Sequence, residues 1–121
     1  MARKSMVMEF GTGTDILGGD YTKAAVRALE NLLHHNSISF AQAFGLPREA
    51  MHVKIVIGVA KPAQVDRAAV GALLPYGTAE VTVEQGGLDI PRDGGDGVTV
   101  MANAAAVVYL DLPAQSRGED P

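Results

Sequence analysis

The chain has 121 residues, 47% of them apolar but only 5% aromatic, with no Trp and no Cys. That length suits one domain with a modest aliphatic core, and the missing cysteines exclude disulfides and thiolate chemistry. A formal net charge of −4, without basic stripes, argues against nucleic acid or anionic lipid as a partner.

The apolar start, Ser5 to Phe10, reads as a first strand that stops at Gly11. It is too short for a secretion signal and carries Glu9. No later run reaches the ~20 apolar residues of a membrane span, so a cytoplasmic protein is expected. A glycine loop follows, "GTGTDILGG", and Asp20 is a good N-cap for a helix from Tyr21 to about His34. Thr22, Val26, Leu29 and Leu33 fall at helical spacing, with Ala25 and Leu32 widening the apolar stripe. Lys23, Arg27, Glu30 and His34 line another face, and Asn36 is a natural stop.

"SISFAQAFGLPREA" leaves room for one helical turn before Gly45 and Pro47. Met51 to Ala60 alternates as a strand, with Met51, Val53, Ile55, Ile57 and Val59 on one face. Pro62 opens a second helix, whose apolar side is Val65, Ala69, Ala72 and Leu73 and which ends at Pro75 and Gly77. Thr78 to Gln85 is a third strand with Val81 and Val83 inward. "GGLDIPRDGGDG" reads as a turn region. Val98 to Leu112 is a fourth strand, long enough to expect a bulge or bend near Asn103. Residues 113–121 form a polar tail, leaving 1–112 as the domain.

The order β-α-β-α-β-β predicts an α+β fold: a single mixed sheet with both helices on one face. The other face, rich in Val, Ala and Met, has nothing of its own chain to cover it. Self-association around a symmetry axis is therefore expected.

Two phosphate-binding patterns fail in the glycine loop. The dinucleotide fingerprint needs a third Gly or Ala where Ile16 stands, and the triphosphate loop needs Lys-Ser/Thr where Asp20 and Tyr21 follow Gly19. Asp15 and Asp20 would also repel a polyphosphate. Two readings of the loop stay open: a plain turn, or a turn whose backbone N–H groups around Gly18 and Gly19 hold a small anionic or imide-like group near the helix start.

Lys23 sits in the first helical turn, where the helix dipole disfavours a cation, and Arg27 one turn on repels it further. It is either a solvated lysine or a general base or carbonyl polariser. Asp15 is either a loop cap or a group that orients a lysine or a bound amide. His35, Asn36 and Ser37 begin the turn after the helix, where side chains converge on clefts. Ser37 pairs with Lys23 or His35 in a nucleophile arrangement only on paper for the lysine: 14 residues of helix put them about 21 Å apart, so they meet only between copies. Asn103, among alanines, needs hydrogen bonds and is placed at a subunit junction or against ligand. Three His with no pair at metal-ligand spacing, and no Cys, make a metal site improbable, and no cofactor is expected.

"EFGTGTDILGGDYTKAAVRALENLLHHNSI", then "MHVKIVIGVAKPAQVDRAAVGALLPYG" and "VEQGGLDI", resemble the Lin-five-twelve family of conserved hypothetical proteins over roughly residues 6 to 112. Thr12 and Ile16 are departures within the loop. The resemblance implies a chorismate-mutase-like or YjgF-like topology and a single-repeat relative of the ring-opening amidohydrolases, the cyanuric acid hydrolases and barbiturases. It thereby implies a homotrimer or larger ring with clefts between subunits, and Lys23 as counterpart of the repeat lysine. The serine half does not carry over, since no Ser-Gly-Gly segment occurs.

Two functions are carried forward. One is an oligomeric hydrolase of cyclic amides or imides, with Lys23 as base or polariser, Gly18 and Gly19 at an oxyanion, and Ser37 or His35 reaching in from a neighbour. The other is a non-catalytic small-metabolite binder of the YjgF-like type, built by copies of this chain, with Asp15, Asn36 and Asn103 also at the ligand.

Overall fold

Fourteen residues of unbroken strand open the structure, a computed structural model that describes residues 2–35, 51–74, 78–95 and 97–112. The elements in chain order are β1 (Ala2–Asp15), α1 (Tyr21–His35), β2 (Met51–Val59), a 3-10 turn (Pro62–Gln64), α2 (Arg67–Gly71), β3 (Thr78–Gln85), β4 (Leu88–Pro91) and β5 (Val98–Leu112). They form an α+β fold around one five-stranded sheet of order β1-β5-β2-β3, with β4 also paired to β5. Only the β2–β3 pair is parallel; the β5 pairings are all antiparallel.

The first strand does not stop at Gly11. It continues through Gly13 to Asp15, paired with β5 the whole way. Glycine inside a strand marks a close backbone approach, and here the approaching backbone is α1. A Cβ on Gly11 would lie 2.5 Å from the Ala28 carbonyl oxygen, and one on Gly13 2.2 Å from the Ala28 nitrogen. The helix faces the sheet with Tyr21, Ala24, Ala25, Ala28, Leu29 and Leu32, all buried. The buried stripe is thus one residue off the expected one. Thr22 instead turns to the 3-10 segment, where its Oγ1 donates to the Gln64 carbonyl and accepts from the Asp66 N–H.

β2 places Val53, Ile55, Ile57 and Val59 in the core as its alternation predicts, and Val100, Ala102, Ala104, Ala106 and Val108 of β5 join them. Pro62 opens only a 3-10 turn. The α-helix proper starts after Asp66, whose Oδ1 accepts from the Ala68 and Ala69 N–H groups. That later start rotates the helix, so Val70 is its buried residue while Ala69 and Ala72 are exposed. Pro75 and Gly77 lie outside the described residues, as do the 36–50 segment and the 113–121 tail.

The expected turn after β3 contains a strand, β4. Gly86 donates its N–H to the Val59 carbonyl at 2.9 Å, and Gly87 takes a positive φ of 60°. The chain thereby passes from beside β2 to beside β5. The expected bulge at Asn103 is absent: Thr12 pairs with Asn103 in continuous register, and the irregularity falls between Ser5 and Val7 instead.

Replacing Gly13 with alanine drives a methyl into the α1 backbone, so α1 must lift from the sheet. We expect Gly13→Ala to lose about 2–3 kcal/mol, at the upper end of overpacking costs. Gly95→Ala, where a Cβ meets nothing within 4 Å, changes stability by less than about 1 kcal/mol. Urea unfolding of the two variants, compared with wild type, checks both values.

Candidate functional site

β1 ends on a buried carboxylate. Asp15 is the one polar or charged residue among the described core positions, and the loop that follows is folded around it. Its Oδ2 accepts the Asp20 N–H at 2.8 Å. Gly18 lies so close that a Cβ there would sit 2.8 Å from the same oxygen. Its Oδ1 lies 3.5 Å from Nη1 of Arg27, which donates at 2.8 Å to the Thr14 carbonyl as well. A buried carboxylate is tolerated when paired and hydrogen-bonded in this way. Asp15 therefore organises the loop, and Arg27 is its counter-ion.

Gly19, with φ of 62°, completes the turn into α1, where only a residue without a Cβ is free of steric strain. Asp20 then caps the helix as expected, its Oδ1 accepting the Lys23 N–H at 3.0 Å. The loop is held from the sheet side by Thr99, whose Oγ1 donates to the Ile16 carbonyl at 3.1 Å.

Between this loop and the outward face of α1 lies a cleft of about 430 Å³, lined by Thr14, Asp15, Ile16, Leu17, Gly18, Lys23 and Arg27. Three of the residues singled out from sequence thus meet here: Asp15, Gly18 and Lys23. Arg27, read from sequence only as Lys23's neighbour on the helix face, joins them. Its signal was the i, i+4 spacing from Lys23, which places both on one helix face. The Lys23 ammonium is exposed and has no hydrogen bond or ion pair among the described residues. Arg27 is half exposed, at 48%, so guanidinium donors remain beyond those given to Thr14 and Asp15.

Gly19 and Asn103 are not brought to this cleft. Gly19 stands behind the loop, facing Val98. Asn103 is exposed on the sheet face away from the helices, beside Thr12 and Gly58. His35 closes α1 at its far end, and Asn36 and Ser37 lie outside the described residues. Among the described residues no three His, Asp or Glu side chains gather as metal ligands, and no helix is long and apolar enough to cross a membrane.

A second polar contact pins the helix start from the opposite side. The buried Tyr21 hydroxyl donates to Oδ2 of Asp89 on β4, and the other oxygen, Oδ1, is buried with no partner among the described residues. The hydrogen bond to Asp89, then burial, then the negative charge of that carboxylate push the Tyr21 phenol up from 10 to about 12.

The sequence profile of the Lin0512 family of conserved hypothetical proteins matches residues 5–108, and the chain belongs to that family. The chain is similar in structure to an FtsZ-like protein of unknown function from Nostoc punctiforme, solved by crystallography. The two share 33% identity and a TM-score of 0.82, over 93% of this chain and 99% of that one. No curated protein matches the chain.

The raised Tyr21 phenol has a pH signature. A neutral phenol is favoured in the folded state, so its contribution is complete below the unfolded value near 10 and is lost as pH rises through about 12. Denaturation midpoints measured from pH 9 upward should fall less steeply in Tyr21→Phe than in wild type, a comparison that removes the titration of other groups. At neutral pH the same variant should be less stable by about 1.5–3 kcal/mol, the range for a hydrogen bond to a charged group.

Proposed function

We propose that this protein binds a small anionic or imide-like molecule in the cleft between the β1–α1 loop and α1, with Lys23 as the principal recognition group and Arg27 beside it. The observation that carries this reading is the Lys23 ammonium, without a partner among the described residues, on the wall of a cleft whose other charges are already balanced. Asp15 offsets Arg27 at 3.5 Å, and Asp20 is committed to the helix cap. The local sum is near neutral, which favours a monoanion or a polarised carbonyl over a polyphosphate. Thr14, Ile16 and Leu17 supply the mixed lining that such a ligand needs.

The hydrolytic reading, on cyclic amides or imides, adds a reaction to the same cleft. Lys23 would polarise the ring carbonyl, as the family resemblance suggests for the repeat lysine, and the nucleophile would have to come from Ser37 or His35 of another copy. Hydrolysis of the ring amide is then the sum of one water added and one C–N bond broken. The non-catalytic reading needs neither nucleophile, and for that reason we prefer it.

Titration calorimetry with barbiturate, cyanurate and acetate tests the proposal. At least one should bind wild type, and Lys23→Ala should weaken it at least tenfold, equivalent to about 1.4 kcal/mol. The melting temperature of the free protein should barely change, because Lys23 is exposed. If none of the three binds, or if the variant binds as well as wild type, the cleft is not the site. Ring opening of either cyclic imide would replace the binding reading with the hydrolytic one.

A further inference from the structure

We infer that the sheet face opposite the helices is covered by a second copy of this chain, with Met8 and Phe10 of the edge strand β1 in the contact. Both helices pack on the other side: Val70 of α2 belongs to the same core as the buried stripe of α1. Because successive strand residues alternate, burying Val100 to Val108 at even positions turns Met101, Asn103 and Val107 of β5 outward. The pairing register sets Phe10 of β1 beside Ala105, Met8 beside Val107, and Leu88 of β4 beside Met101. Phe10 is 67% exposed, Met8 54% and Leu88 53%. A solvent-facing antiparallel sheet ordinarily presents polar side chains at such positions.

The face is built like an interface. Its apolar part runs from the β1 edge across β5 to β4, with Met8, Phe10, Ala105, Val107, Met101 and Leu88, while Lys54 of β2 and Glu80, Thr82 and Glu84 of β3 make the opposite side polar; an apolar patch with a polar rim is the usual anatomy. Its size also fits. At ~4.8 Å between strands and ~3.4 Å per residue, four strands over about nine residues cover on the order of 600 Å². That approaches the ~800 Å² each partner contributes to a stable protein complex and lies at the top of what monomers leave bare.

Three features point to a copy of the same chain rather than to a lipid or a foreign helix. A gently twisted sheet finds its shape complement in another sheet, packed ~10 Å away. Lys54 and Glu80 stand side by side on this face, so its polar side carries both signs of charge, which a second copy can match. The exposed Asn103 amide is both donor and acceptor, so an identical amide is a fitting partner for it. The acidic rim and the net charge of −4 oppose an anionic membrane.

Sedimentation velocity on the full chain at micromolar concentration reads the outcome. Wild type should sediment as a multiple of 12.6 kDa, and Phe10→Glu should drop to the single-chain mass with its circular dichroism intact. Should Phe10→Glu fail to fold, oxidation of wild type by dilute peroxide gives an independent reading: Met8 and Met101 should be protected at high concentration and become reactive on dilution. A wild-type monomer overturns the inference, whether the face is bare or covered by the chain's own remaining residues. So does a folded Phe10→Glu variant that keeps the wild-type mass, or methionine oxidation that does not depend on concentration.

Discussion

Everything around the cleft depends on backbone meeting backbone where α1 crosses β1. Ordinary side chains hold a helix away from a sheet, but Gly11 and Gly13 present no Cβ, and Ala24 and Ala28 face them with the smallest side chains available. The helix therefore sits low on the edge strand. Its first turn comes level with the end of β1, and the connecting loop has to turn sharply in the space left. Asp15 lies at that corner. A helix seated a few ångströms higher would not bring Arg27 to the Thr14 carbonyl and the Asp15 carboxylate.

From this seat the charges are distributed with little freedom. Asp15 is buried only because the Asp20 N–H and Arg27 reach it, so loop, cap and helix face are one hydrogen-bonded unit. On the sheet side of the same helix turn, Tyr21 is tied to Asp89. The start of α1 is thus held from two directions, and rigid positioning of this kind is what a ligand-recognising cation needs. Lys23, on the same turn, is held in place by its backbone while its ammonium has no partner among the described residues. That combination is more informative than the glycine richness of the loop, which the close packing and the turn at Gly19 already explain.

Much of this was legible in the residues, and the failures share a cause. The alternation of β2, the capping of α1 by Asp20 and the outward set Lys23, Arg27, Glu30 and His34 follow from local periodicity, which acts within a few residues. The joining of Asp15, Gly18 and Lys23 followed from their closeness in sequence. What local patterns did not carry was set by partners distant along the chain. Gly11 reads as a strand end unless one knows that Ala28 lies above it. Leu88 to Pro91 reads as a turn because its partner, β5, comes later and its glycine and proline neighbours dominate the composition. Pro62 is a good helix opener, yet Asp66 offers a better cap, and the helix starts there. Asn103 was singled out for its polarity among alanines, but an odd position on β5 sends it away from the cleft.

That parity carries the deeper organisation. On β5 the even residues fill the core and the odd ones face away, so a slip by one residue would exchange the two sets completely. Three devices hold the register. The irregularity between Ser5 and Val7 resets β1 against β5. The Gly58–Gly86 contact lets β3 cross the end of β2 without a side chain between them. Gly87, where a Cβ would lie 2.2 Å from the Met101 carbonyl oxygen, admits β4 to its lane beside β5. The glycines of this chain therefore fix which side chains each face shows, and the cleft and the bare apolar face are two results of the same constraint. A sequence selected only for a stable core would have no reason to place Phe10, Met8, Leu88 and Ile90 on the outer side of so firmly specified a register. Their exposure is a property the register preserves, which is why we read it as a surface in use.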